Sequence, residues 1–179
     1  KLFKEAFQRY KKICDTEGML HCMLALGDIY RMSGDFDLAA VNYSEAINLA
    51  KKHKKQIWLY DAKIGLGLSL RAQGKWKESI KLIRESERIF KKQGDREGIA
   101  FSLWAEACAL RIKGNIKDAI KTFRTSLDKF KSLKSQQGIG YCLCGLGGTS
   151  RIAGLFKDSL KYYTAANKLF SDIKDIFGM

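Results

Sequence analysis

Proline is absent from this chain of 179 residues, and histidine occurs only twice. Because proline interrupts helices, its absence, together with the abundance of alanine, leucine, isoleucine, lysine and glutamate, predicts helices throughout. The apolar runs are all much shorter than the roughly 20 residues that a membrane-spanning helix needs. We therefore expect no membrane partner.

Groups that could carry catalysis are also scarce. His21 has no serine or cysteine partner at a recognisable spacing, and His53 lies within the lysine-rich stretch KKHKK. Paired carboxylates, a phosphate-binding loop and a cluster of metal ligands are missing as well. We therefore expect that the chain is not an enzyme and that it uses no cofactor and no metal.

Cysteines are few and odd in number, and most of them stand in apolar stretches: Cys14, Cys22, Cys108, Cys142 and Cys144. The last two form a C-x-C pair, which is not the C-x-x-C spacing of zinc or redox sites. This pattern is typical of reduced thiols, and it predicts a reducing compartment, the cytoplasm. Since the first residues are already amphipathic and include no initiator methionine, we expect a segment of a longer protein.

Acidic residues are outnumbered, with 19 against 33 lysines and arginines, so the net charge is +14. Such an excess attracts acidic proteins or nucleic acids over a long range. A lysine-rich solvated surface without any such partner is the simpler explanation.

One ten-residue pattern recurs four times at intervals of 40 residues. RMSGDFDLAA, RAQGKWKESI, RIKGNIKDAI and RIAGLFKDSL begin at positions 31, 71, 111 and 151. Glycine is the fourth residue of every copy. A second set of glycines keeps the same interval, with Trp58 in the remaining place: Gly18, Gly98, Gly138 and Gly178. Because glycine readily adopts the left-handed conformation that ends a helix, both sets predict turns.

Each repeat is therefore predicted to be a hairpin of two helices, A and B. In the first full repeat we expect helix A at residues 17–33 and helix B at residues 36–53. Small residues recur in helix B at positions 39, 79, 119 and 159 and at 46, 86, 126 and 166, where helices are expected to approach closely. Since one hairpin cannot bury its apolar face alone, stacking predicts an all-α, right-handed superhelical solenoid of antiparallel helix pairs.

The stretch LGDIYRMSGDFDLAAVNYSEAI resembles a tetratricopeptide repeat, and the matching positions are Leu26, Gly27, Tyr30, Gly34, Ala39, Tyr43 and Ala46. The period is 40 residues rather than the roughly 34 usual in that family. The resemblance divides the chain into a single array: the last helix of a preceding repeat (1–16), four full repeats (17–56, 57–96, 97–136 and 137–176) and the start of another (177–179). Glu106 stands where the motif has leucine, so we expect a polar partner for it.

In proteins of this family the A helices line a concave groove, and the resemblance implies that one stripe of each A helix faces a ligand. Four arginines hold the same place on that stripe: Arg31, Arg71, Arg111 and Arg151. The other groove residues implied are Leu24, Asp28, Ile64, Leu68, Phe101, Trp104, Tyr141 and Cys144. Arginine pairs well with carboxylates, and the aromatic residues can bury an apolar anchor. The implied function is a protein-interaction scaffold that binds an acidic partner peptide or segment with apolar anchors.

Three alternatives remain open. The arginines could be structural, because Arg31 can pair with Asp28 and each arginine lies near a helix C-terminus, and Trp104 could be a packing residue. The basic surface could bind RNA or DNA. The chain could also associate with itself through apolar residues at its two ends, namely Leu2, Phe3, Phe7, Leu169, Phe170, Ile173 and Phe177.

Overall fold

The computed structural model describes residues 2–175, which form nine helices and no strand. The helices are α1 (Leu2–Lys12), α2 (Thr16–Met32), α3 (Phe36–Lys52), α4 (Gln56–Ala72), α5 (Trp76–Gln93), α6 (Arg96–Lys113), α7 (Ile116–Ser132), α8 (Gln136–Ile152) and α9 (Phe156–Asp172). The all-α prediction is confirmed, and α2 and α3 begin and end within one residue of the expected helices. None of the described helices is both long enough and apolar enough to span a membrane.

The chain divides into two compact units, Lys1–Ser86 and Glu87–Met179. The A helices are α2, α4, α6 and α8, and the others are B helices. In the first unit α2 packs against α1 and α3, and α4 packs against both α2 and α3. In the second unit α6 packs against α7, and α8 packs against α6, α7 and α9. Each unit therefore brings two A helices into contact, as stacked helical hairpins require.

The turns inside the hairpins use the first set of glycines, as predicted. Gly34, Gly74, Gly114 and Gly154 all have left-handed backbones, with φ between 75° and 86°. The beginnings of three A helices are capped by side chains. Asp15 Oδ1 accepts hydrogen bonds from the backbone N–H of Glu17 and Gly18, both at 3.0 Å, and Asp95 and Ser135 cap α6 and α8 in the same way.

The second set of glycines was wrongly predicted to mark turns. Gly18, Gly98 and Gly138 lie inside the first turns of α2, α6 and α8. A Cβ at these positions would come within 2.3 to 2.6 Å of an aromatic ring, from Tyr10, Phe90 and Phe130 respectively. The left-handed residues of these turns lie four positions earlier, at Cys14, Lys54, Gly94, Lys134 and Lys174. Gly178 lies outside the described residues.

Position 58 is tryptophan instead of glycine because the aromatic ring that the glycines contact is absent there. Tyr10, Phe90 and Phe130 hold one place in the 40-residue period, and the residue at that place in the repeat before Trp58 is Ala50. Ala50 has no ring and is fully buried. A side chain as large as Trp58 is therefore compatible with a position that is otherwise glycine.

The two rows of small residues along the B helices are buried, as predicted. Seven of the eight residues are no more than 1% exposed: Ala39, Ala46, Ser79, Ser86, Ala119, Ser126 and Ala166. The eighth, Ser159, is 6% exposed. Two of the serines bind a neighbouring A helix. Ser126 Oγ donates to the carbonyl oxygen of Ala100 at 2.7 Å, and Ser86 Oγ donates to that of Tyr60 at 3.3 Å. The bond to Ala100 gives the buried Ser126 hydroxyl an acceptor, whereas Ser86 Oγ also reaches the Leu82 carbonyl oxygen of its own helix at 3.1 Å.

Some of the residues predicted to be uncovered at the ends are buried. Phe170 is fully buried, because its ring lies against Gly140 of α8. Leu2 and Ile173 are exposed, whereas Phe3, Phe7 and Leu169 are half-buried, and Phe177 lies outside the described residues. The larger uncovered apolar surface is on α9, where Phe156 and Leu160 are each 70% exposed.

Candidate functional site

An aromatic chain connects two A helices and α9 in the second unit. The ring of Phe101 stacks on Trp104 with centroids 5.3 Å apart, Trp104 lies 5.9 Å from Tyr141, and Tyr141 lies 5.8 Å from Phe170. The indole Nε1 of Trp104 donates a hydrogen bond to the carbonyl oxygen of Tyr141 at 3.2 Å. Trp104 therefore packs α6 against α8. Its side chain is half-buried, so part of it stays accessible to solvent.

A cleft of about 160 Å³ opens beside this chain, lined by Trp104, Cys108, Arg111, Tyr141, Cys144 and Gly145. Four of these were predicted as site residues, and they come from α6 and α8. The cleft has an apolar aromatic wall and one cation at its edge. Burial raises the pKa of the Cys144 thiol, so this group stays neutral near pH 7.

Arg111 reaches across to α8 because Gly148 leaves room for it. A Cβ at Gly148 would come within 2.8 Å of Arg111 Nη1 and 3.1 Å of Tyr163 Oη. Within residues 2–175 the Arg111 guanidinium makes no ion pair. The cation is thus held over the neighbouring helix with its charge unneutralised by a carboxylate.

Arg31 has a different environment. Its Nη2 donates to Asp28 Oδ1 at 2.9 Å, and Tyr43 Oη donates to the same oxygen at 2.7 Å. Burial is the largest influence on the pKa of the Arg31 guanidinium and lowers it, but the interactions with Asp28 and Tyr43 together outweigh burial, so the pKa is raised overall. Burial, helped by the Asp28 charge, also raises the pKa of Tyr43. In this repeat the arginine makes the structural pair that was one of the open alternatives.

The other two arginines resemble Arg111 in having no carboxylate partner among the described residues. Arg151 is exposed, and Arg71 is half-buried with an Nε that has no hydrogen-bond partner. The reason lies three positions earlier in each helix. The place of Asp28 is taken by Leu68, Cys108 and Gly148 in the later repeats.

Two of the predicted site residues are not available to a ligand. Ile64 is 3% exposed and Leu68 is 2% exposed. Both lie on α4, which packs against α2 and α3, so these aliphatic side chains are part of the core. Leu24 is half-buried and packs against the core of the first unit. The prediction that Ile64 and Leu68 face a ligand was therefore wrong, because both side chains are buried.

The sequence interpretation missed the part that glycines play in this cleft. The glycine-rich stretch CGLGGTS does not interrupt its helix, because α8 continues through it from Gln136 to Ile152. A Cβ at Gly145 would come within 2.3 Å of the Phe123 ring. Closer stacking is therefore the reason for this glycine. The signal in the sequence was Gly65, its equivalent two repeats earlier, which makes the same close contact with Tyr43.

Residues 58–132 match the sequence model of the tetratricopeptide repeat family. No curated protein matches the chain significantly in sequence. Among solved structures, BtubC from P. vanneervenii is similar, with 15% identity and a TM-score of 0.73 over 97% of this chain and 72% of that one. Two crystal structures of TPR-like repeats from a Podosopora anserina chain described as a kinesin light chain are also 15% identical. Their TM-scores are 0.65 and 0.62, over 97% of this chain and 85% and 86% of theirs.

Proposed function

We propose that this chain, which matches the tetratricopeptide repeat family over residues 58–132, is a protein-interaction scaffold that binds a segment of a partner protein along its A helices. The family match and the fold support the general function, because stacked helical hairpins present extended surfaces for other chains. The cleft at Arg111 supports the location. We propose that the bound segment is acidic and carries an apolar anchor.

The observation that carries this proposal is Arg111, which lies beside an aromatic wall and makes no ion pair within residues 2–175. A guanidinium gains most from a carboxylate when the site around it is partly dry, and the Trp104 and Tyr141 rings exclude water on one side. A cleft of this size accepts one side chain rather than a whole small molecule. An apolar residue next to an aspartate or glutamate therefore fits the cleft, and the net charge of +14 favours the approach of an acidic segment.

The test compares two arginines that occupy equivalent places. Binding of a fluorescein-labelled peptide, in which one phenylalanine is flanked by glutamates, would be measured by anisotropy. Arg111→Gln should weaken binding by about tenfold, the loss expected for one charge-assisted hydrogen bond. Arg31→Gln is the control, because Asp28 already neutralises Arg31. Equal losses in the two variants, or no loss in either, would contradict the proposal.

A second variant moves the cation without removing it. In Gly148→Ala the new methyl group would come within 2.8 Å of Arg111 Nη1, so the flexible guanidinium must shift. We expect weaker peptide binding with unchanged or slightly higher stability, since alanine is the better helix former by about 1 kcal/mol. Unchanged affinity together with a displaced Arg111 would show that the arginine is not a contact.

Nucleic-acid binding through the basic surface stays a prediction, and the same anisotropy assay addresses it. A labelled RNA oligomer should bind strongly at low salt and steeply lose affinity as salt is added if phosphate contacts dominate. Absence of binding at low salt would remove this alternative.

Self-association is a further candidate, and the exposed face of α9 favours it. Tyr163 on this face is 40% exposed, whereas Tyr43 and Phe123, its equivalents in other repeats, are 1% and 0% exposed. We propose that a second copy of the chain covers Phe156 and Leu160. Sedimentation velocity should show a dimer that Leu160→Glu abolishes, and a monomer at every concentration of the unaltered protein would contradict this.

A further inference from the structure

A second cleft lies among α3, α4 and the part of α5 that belongs to the first unit. It is open to solvent and has a volume of about 540 Å³, within the roughly 300–1,000 Å³ range of sites that hold ligands. Its apolar surface comes from Ile47, Leu66, Leu70 and Leu82. It shares no residue with the cleft at Arg111 or with the stripe predicted from the sequence.

The charged residues around this cleft leave an excess of positive charge. Three lysines and two glutamates line it: Lys51, Lys63, Lys81, Glu78 and Glu85. Lys63 Nζ lies 2.9 Å from Glu85 Oε2, so these two neutralise each other. Glu78 is in the first turn of α5, where the helix dipole already stabilises its carboxylate. Lys51 and Lys81 therefore outnumber the single remaining carboxylate.

The repeat itself indicates what fits into such a cleft. Two periods after Leu82, at the equivalent place on α9, the chain has Tyr162. Tyr162 packs against the core cluster that contains Leu127 and Leu146, which are the equivalents of Ile47 and Leu66. In the second unit, an aromatic ring of the chain's own thus covers the surface that is left open in the first unit, where the residue is leucine.

We propose that the cleft among α3, α4 and α5 is a second docking site, which receives an aromatic side chain from an acidic segment of a partner protein. The ring would lie on Leu66, Leu70 and Leu82, as Tyr162 lies on its own core. Carboxylates beside the ring in the partner sequence would pair with Lys51 and Lys81. This site is independent of the proposed binding at Arg111, because the two clefts have no residue in common.

The experiment follows the methyl resonances of Ile47, Leu66, Leu70 and Leu82 by NMR while an acetylated Glu-Glu-Tyr-Glu-Glu amide is added. To exclude binding at the other cleft, the titration uses the Arg111→Gln variant. We expect these methyl resonances to shift with the tyrosine peptide and not with the peptide that has alanine in its place. No shift at millimolar peptide would overturn the proposal, and so would equal shifts with the alanine peptide.

Two variants test the ring and the charge separately. Leu82→Tyr should fill the cleft in the manner of Tyr162 and lower the peptide affinity by about tenfold or more while the protein stays folded. Lys81→Glu should also weaken binding, whereas Lys161→Glu, the same change at the equivalent place on α9, should leave the affinity within about twofold. Unchanged binding in Leu82→Tyr would overturn the location.

Free 4-hydroxyphenylacetate distinguishes a protein segment from a small aromatic acid. We expect it to bind at least about tenfold more weakly than the tyrosine peptide, because it offers one carboxylate instead of several. Equal or tighter binding of the free acid would overturn the assignment to a partner protein. Methyl shifts as expected, together with equally tight binding of the fluorescein-labelled peptide by Arg111→Gln and the unaltered chain, would contradict only the function proposed for the first cleft.

Discussion

Arg31 and Arg111 hold the same place in the repeat, yet their surroundings differ in almost every respect. Arg31 shares the carboxylate of Asp28 with Tyr43, whereas Arg111 has Cys108 at the position of Asp28 and makes no ion pair among the described residues. The residue of α8 that faces Arg111 is Gly148, and its equivalent in α4 is the buried Leu68. The repeat therefore sets where an arginine lies, while neighbouring residues decide whether its charge is available.

The two units should respond alike where their packing is the same. Gly65 and Gly145 are equivalent, and in each a Cβ would come within 2.3 Å of a buried ring, from Tyr43 or Phe123. We expect Gly65→Ala and Gly145→Ala each to lower the free energy of unfolding by about 3 kcal/mol, at the upper end of the usual cost of overpacking. Urea denaturation would measure this. A neutral effect of either variant would show that the A helix moves easily away from the preceding B helix, which carries the ring.

A smaller effect is expected where the two units differ. Asp28→Leu removes the acceptor of the buried Tyr43 hydroxyl as well as the partner of Arg31, so it should cost about 2 kcal/mol of stability. Asp28→Asn keeps an acceptor oxygen and should cost less, while it frees Arg31 from its carboxylate.

Asp28→Asn also makes the surroundings of Arg31 in the first unit more similar to those of Arg111 in the second unit. With Arg31 unneutralised, Asp28→Asn should bind the acidic peptide a few fold more tightly than the unaltered chain, as measured by anisotropy. Asp128→Asn, the same change at an exposed carboxylate of α7 that lines neither cleft, is the control and should leave the affinity within about twofold. Weaker binding in Asp28→Asn would mean that Arg31 does not contact the peptide and that its only role is the ion pair with Asp28.

The smallest effect concerns a thiol in the core of the second unit. Burial raises the pKa of Cys142 from 9.0 to about 12, although its hydrogen bond with Ser126 opposes this shift. Above pH 9 the thiol loses its proton in the unfolded chain but keeps it in the folded protein. The contribution of Cys142 to the free energy of unfolding is therefore fully present below pH 9 and declines between pH 9 and pH 12. Between pH 9 and 10 the loss should be about 1 kcal/mol. Cys142→Ala should show a shallower decline in urea denaturation, and an identical pH dependence would contradict the assignment.

The hairpins could be predicted from the sequence because the 40-residue period and the small residues at 39 and 46 recur in every copy. Glycine roles could not be separated so easily. A glycine that turns the chain and a glycine that accommodates a ring look alike, and only the contact of Gly18 with Tyr10 distinguishes them. The burial of Ile64 and Leu68 was missed because helical periodicity gives the direction of a side chain, not the distance to the next helix.

The cleft among α3, α4 and α5 was also beyond prediction, for a related reason. It is lined by Leu82, whose equivalent on α9 is the larger Tyr162. The sequence does not show that a smaller residue leaves a cleft at this place, because the cleft is formed by the packing of the surrounding helices. In contrast, the combination of Trp104 and Arg111 was predictable, since both lie on the same stripe of α6.

The most direct test of the binding account is a double-mutant cycle between Arg111 and one glutamate of the acidic peptide. Affinities of the unaltered chain and of Arg111→Gln would be measured for the peptide with glutamate and for the peptide with glutamine at that position. A coupling energy of about 1–3 kcal/mol is expected if the two groups touch. Additive losses at every glutamate of the peptide would contradict the account, because Arg111 would then lie outside the binding surface.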